Sequence, residues 1–146
     1  MSIHKFTKYL IDVLLVLSVL CVIAIPFLPR GFFEFLRHSE NNIVLLKLVL
    51  FTSGVLSTII LFTLRQLYTS MLAGNPFNRK NPVLLGRIGV LGLIIAVIYA
   101  LKLLFAPTFG TMMISLIFII CFLFCMTLRD LFARASAYKE ENELTI

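Results

Sequence analysis

TMMISLIFIICFLFCMTL, residues 111–128, runs for eighteen positions without a charged side chain and decides the fold. A helix rises about 1.5 Å per residue, so about 20 apolar residues cross the hydrocarbon core of a bilayer. Three further stretches qualify on the same count. Residues 9–28 carry one charge, Asp12, near their start; 43–64 carry Lys47 near their start; 82–105 carry Arg87 in their first turns and Lys102 near their end. Runs of this length are not membrane strands, which alternate over about ten residues. The expectation is an all-α integral membrane protein: one domain, an antiparallel bundle of four transmembrane helices.

Composition agrees. The chain has 146 residues, 60% of them hydrophobic and 14% charged, with a mean hydropathy of +1.04. A soluble domain carries about 25% charged residues and has no means of burying this much apolar surface. The net charge of +6 does not point to nucleic acid: Lys and Arg collect at membrane edges, and no basic run interleaved with aromatics forms a nucleic-acid groove.

The joints between spans have their own chemistry. Pro26 and Pro29 close the first helix, and residues 30–42 are polar and mixed in charge. Gly74 and Pro76 stop the second helix. Asn81 followed by Pro82 predicts a capping side chain and then proline at the first helical position. Pro107 to Gly110 forms a hairpin between the third and fourth helices. Two helices are expected to continue beyond the bilayer as cytoplasmic extensions. Leu67, Tyr68, Met71 and Leu72 form one stripe, and Leu131, Phe132, Ala135 and Tyr138 another, the latter within a cytoplasmic amphipathic helix and acidic tail at 129–146.

Orientation follows from counting cations. Lys5, Lys8, Arg65, Arg79, Lys80, Arg87, Arg129, Arg134 and Lys139 fall on one side, against Arg30 and Arg37 on the other. Both termini are therefore expected in the cytoplasm, and the protein in the cell membrane.

Charges within spans are functional candidates. Lys47 and Lys102 lie near the outer ends of their helices. They either snorkel, with stems in lipid and ammonium groups in water, or form a cationic site for an anion or headgroup. Asp12 has Lys8 one turn back and Arg65, Arg87 and Arg129 at the same expected depth. An ion pair is the plainer reading, and a proton-coupled transport carboxylate would sit deeper in the span. Cys121 and Cys125, one turn apart, read as packed core residues; no histidine lies in a span to complete a metal site. Gly86, Gly89, Gly92, Ala96 and Ala100 make a small-residue face for close helix contact, within the bundle or between subunits of a homo-oligomer. No catalytic constellation, phosphate-binding loop, metal site or cofactor site appears, so an enzyme is not expected.

Two stretches are more distinctive: Gly74-Asn75-Pro76-Phe77-Asn78-Arg79-Lys80-Asn81, and Glu140-Glu141-Asn142-Glu143-Leu144-Thr145-Ile146. With four spans they resemble a bacterial family catalogued as domain of unknown function 2975, whose members are similar in having a G-x-P-F-x-x-x-N loop before the third helix and an acidic tail ending in L-T-I. The resemblance covers nearly the whole chain, and it implies a partner rather than a reaction: a small helix-turn-helix regulator, often encoded alongside. The candidate interaction residues are Asn75, Pro76, Phe77, Arg79, Lys80 and Asn81 in the loop, and Asn142, Leu144 and Ile146 in the tail. An acidic tail tipped with Leu144 and Ile146 suits docking, on Arg79 and Lys80 or on a partner. The leading expectation is a regulatory or interaction protein of the membrane. The alternatives are a small oligomeric transporter or permeability protein and a structural subunit of a larger membrane complex.

Overall fold

A computed structural model describes residues 3–29, 31, 43–73, 79–105 and 107–144. It is built from four long helices: α1 (Ile3–Ala24), α2 (Ile43–Leu72), α3 (Lys80–Phe105) and α4 (Phe109–Leu144). All four are long and apolar enough to cross a membrane, and the described residues contain no strand.

The helix ends follow local chemistry. Pro26 has no backbone N–H and restricts the residue before it, so α1 gives way to a short 3-10 turn, Ile25–Phe27. Leu28 then turns extended and donates its N–H to Ile25 O at 3.3 Å. At α4 the Thr108 hydroxyl lies 3.4 Å from the Thr111 N–H, the bond that a capping side chain makes to an otherwise unmatched donor. α3 begins at Lys80, so Asn81 and Pro82 occupy its first turn. The expected cap at Asn81 is thus displaced: Asn81 is an entirely buried side chain, and Pro82 still fits because the first turn needs no N–H there.

Packing runs between chain neighbours: α1 on α2, α2 on α3, and most extensively α3 on α4. The pairings are specific. Asp12 meets Arg65 and Ser18 meets Thr58; Ser53 meets Tyr99; Ala96 meets Ser115, and Arg79 meets Glu140. Between α1 and α2, and between the segment opening α3 and α4, residue numbers rise on one side as they fall on the other. α3 is the central helix, with eleven buried residues against one in α1.

The interior combines small and hydroxylic groups with a few large apolar ones, Leu84, Leu85 and Ile95 among them. A side chain added at Gly89 would meet Met126 Cε at 2.9 Å and Cys125 Cβ at 3.2 Å, and one at Gly86 would meet Arg129 Cδ at 3.2 Å. Ser115 donates to the Ala96 carbonyl at 3.0 Å. Thr58 and Thr63, and Thr127 on the outer surface, return their hydroxyls to carbonyls four residues back, which satisfies them without water. Leu, Ile, Val and Phe instead crowd the outer surface, Val16, Leu20, Ile117 and Phe124 among them. A soluble protein does not expose such a surface. In lipid it costs nothing, and close helix approach supplies the cohesion.

This packing decides one expectation between its two alternatives and corrects another. The small face of α3 is covered by the chain's own α4, except Ala100, which is exposed. It is therefore not free for contact between subunits. Cys121 is exposed on the outer surface and Cys125 half-buried against Gly89, so the two do not form a packed core pair. A helix has one seam against its neighbour, and residues one turn apart straddle its edge here.

Candidate interaction site

The charged side chains gather at one end of the helices. Arg65 donates from Nε to Asp12 Oδ1 at 2.6 Å. Among the basic groups expected near Asp12, Arg65 is the one joined to it. Tyr68, one turn beyond, donates its hydroxyl to the His4 carbonyl at 3.1 Å, so the starts of α1 and the last turns of α2 are stitched together. Leu67, Leu84 and Leu85 form a buried cluster beneath, with Leu64, Ile88, Leu128 and Phe132 packed against it.

Residues 129–144 of α4 continue the helix past its apolar run. The face they turn inward keeps only part of the expected stripe. Ala133, Ser136, Ala137 and Glu140 line a small cavity of about 190 Å³ with Arg79 and Pro82. Of the expected stripe, Phe132 and Ala135 are half-buried, whereas Leu131 and Tyr138 point outward, 56% and 67% exposed. Ser136, buried one turn beyond Phe132, is the small residue that lets the α3 start lie close against α4.

One fork closes this contact. Arg79 donates from Nε to Glu140 Oε1 at 2.9 Å and from Nη2 to Oε2 at 2.7 Å, the bidentate geometry that makes Arg–carboxylate pairs directional. The pair is exposed, so its contribution is positional more than energetic. The two hydrogen bonds from Arg79 hold the Glu140 carboxyl below its usual range and push the guanidinium up. A depressed carboxylate pKa favours the joined state above the free value of about 4.3, and that preference disappears as pH falls through the lowered value. A nitroxide at Glu143 is therefore expected to stay restrained at neutral pH and to gain mobility only once the pH falls below the ordinary carboxylate range. Glu140→Gln should give the mobile spectrum at neutral pH, and an unchanged spectrum would separate the fork from the order of the helix end.

The remaining candidates are dispersed. Lys80 and Asn142 are exposed, as is Leu144, while Asn81 is buried. Asn75, Pro76, Phe77 and Ile146 lie outside the described residues. Lys47 is half-buried beside Ile25, Pro26, Val44, Leu48 and Phe51. Lys102 is 7% exposed, which corrects the expectation that it snorkels: it sits on the buried face of the central helix, one turn from Tyr99. It does not line the pocket around Lys47, so the two lysines do not share that site. Glu140, read in the sequence only as part of an acidic tail, is the residue the tail uses to reach the loop.

Comparison with known proteins gives a family and no activity. No curated protein and no solved structure matches the chain. A family model described as "Protein of unknown function (DUF2975)" matches residues 6–146. With four helices that suit a four-span protein and a match across almost the whole chain, this protein belongs to that family.

Proposed function

We propose that the protein is a membrane-anchored interaction protein, not an enzyme, whose cytoplasmic face holds a small helix-turn-helix regulator. In this reading the four helices are antiparallel, and both termini and the extensions of α2 and α4 are cytoplasmic. The opposed numbering of the paired residues and the excess of Lys and Arg on that side support the arrangement. It is a binding role at a membrane, with no cofactor and no direct contact with nucleic acid.

One observation carries the proposal. Residues 129–144 leave the apolar run as continuous helix, fixed to the start of α3 through Arg79 and Glu140, with Leu131 and Tyr138 left uncovered. A rigid helix with an apolar outer edge is what helix-in-groove recognition requires.

The transport alternative finds less support. Asp12 is at the rim and joined to Arg65, and the small face of α3 that would build an oligomer is occupied by α4. The test is affinity purification from native membranes in mild detergent. The full chain should bring a small helix-turn-helix protein, and a chain ending at Lys139 should recover it at least tenfold less. Equal recovery would remove the tail and its fork from the binding role; recovery of the chain alone would remove the partner.

A further inference from the structure

A groove of about 900 Å³ opens on the side of the protein between α2, α3 and α4. Its chemistry is graded along the helices. Ile59 and Phe62 of α2 and Val90 and Leu91 of α3 line one end; Gln66, Arg87, Arg129 and Asp130 line the other, together with Pro82, Val83 and Ala133. The apolar end belongs to the stretches that cross the bilayer, and the polar end to the rim where the cations collect. The walls thus gain charged groups toward the rim over one to two helical turns, which is the profile of an amphiphile standing in the membrane.

The cations at the rim are available. Arg129 lays its stem across Gly86, where an added Cβ would stand 3.2 Å from Cδ and 3.6 Å from Nη1. Its other end lies 3.7 Å from Asp130, with both side chains about half exposed or more. At that separation the carboxylate balances Arg129 weakly. No hydrogen bond or ion pair joins Arg87 to another described residue, whereas Arg65 and Arg79 are engaged by Asp12 and Glu140. Two guanidinium groups and one carboxylate leave the rim net positive. Guanidinium is the cation best matched to phosphate, because its fork of N–H groups meets two oxygens at once.

We infer that this groove is a binding site for one anionic phospholipid, its phosphate between Arg87 and Arg129 and an acyl chain along Ile59, Phe62, Val90 and Leu91. A soluble anion would use the rim but not the apolar wall, and a neutral lipid the wall but not the rim. The inference is independent of the partner proposed above, because it rests on the lateral groove rather than on the outer edge of α4.

The experiment is native mass spectrometry of the full chain in mild detergent, titrated with phosphatidylglycerol or phosphatidylcholine. One saturable phosphatidylglycerol per chain is expected, retained at least tenfold better than phosphatidylcholine. Arg87→Gln with Arg129→Gln should reduce that retention at least tenfold, and Arg87→Gln alone should reduce it several-fold without disturbing the seam at Gly86. Lys5→Gln with Lys8→Gln removes the same charge at the same end of the helices and should leave retention unchanged. Val90→Trp, which fills the apolar wall from an exposed position, should lower it for both lipids. Equal retention of the two lipids, or equal loss in the Lys5/Lys8 variant, would overturn the site in favour of a nonspecific lipid shell. Displacement of the lipid by millimolar inorganic phosphate would overturn it in favour of a soluble anion.

Discussion

Gly89→Leu is expected to be the most damaging single substitution in the membrane portion of the chain. At this position α3 and α4 approach so closely that a Cβ meets Cys125 Cβ at 3.2 Å as well as Met126 Cε at 2.9 Å. The methionine end can rotate aside; the cysteine Cβ is fixed to the α4 backbone, so only separation of the helices makes room. Forcing added methylenes into a packed seam costs about 1–3 kcal/mol, and no hydrophobic drive between helices in lipid offsets the lost contact. The separation would also strain the bond from Ser115 to the Ala96 carbonyl along the same seam. Gly89→Ala should stay within about 1 kcal/mol of the parent, since alanine's gain in helix propensity of roughly that size opposes one tight contact. Gly110 has nothing within 4 Å of an added side chain, so Gly110→Leu is the control. Retention of the folded peak after heating in mild detergent, followed by size-exclusion chromatography, checks all three. Equal losses for Gly89→Leu and Gly110→Leu would mean that the α3–α4 seam does not hold the protein together.

That seam also explains what was legible in the sequence. Hydropathy reports the solvent a segment prefers, so the four spans read directly from residues such as those at 111–128. It does not report where a helix stops: nothing in Lys5 or Lys8 breaks a helix, and α1 begins at Ile3, six residues before the apolar run. Nor does it report which face is inside. In water a helix announces its buried side by apolar periodicity. In lipid the outer face is as apolar as the inner, and the inner face is instead marked by Gly86, Gly89, Gly92 and Ala96, a pattern the sequence did disclose. The same logic continues along residues 129–144, where small Ser136 is buried, in the cavity it lines with Pro82, although Leu131 and Tyr138 are the larger apolar groups. Lys102 was misjudged for a related reason: its distance from the helix end is visible in the sequence, its facing is not. The loop at 74–78 contributes the family resemblance but lies outside the described residues.

Replacing Leu131 and Tyr138 together with glutamate should abolish recovery of the partner while leaving the membrane domain intact. The argument is one of distance. Ile117, Phe124, Leu131 and Tyr138 recur every seven residues and are all exposed, so they lie along one outward edge of α4. Lipid covers Ile117 and Phe124. Tyr138 stands ten residues past Leu128, which is about 15 Å of helix, and a tilt of 40° still leaves about 11 Å. The headgroup layer on each side is only about 5–8 Å deep, so in the orientation proposed above the bilayer does not reach the tyrosine, which leaves it open to the proposed partner. An aromatic anchor at the centre of such a contact contributes about 2 kcal/mol or more, roughly thirtyfold in affinity. The substitutions touch no buried group, so thermal retention in detergent should match the parent within about 0.5 kcal/mol. Glu143→Gln, exposed near the same end, should recover the partner normally. Loss of the partner with Leu131 and Tyr138 replaced, but not with Glu143, would place the contact on the outer edge of α4. Undiminished recovery would move it to the basic loop before α3, and the same purification repeated on an Arg79→Ala, Lys80→Ala chain would then decide whether that loop carries it.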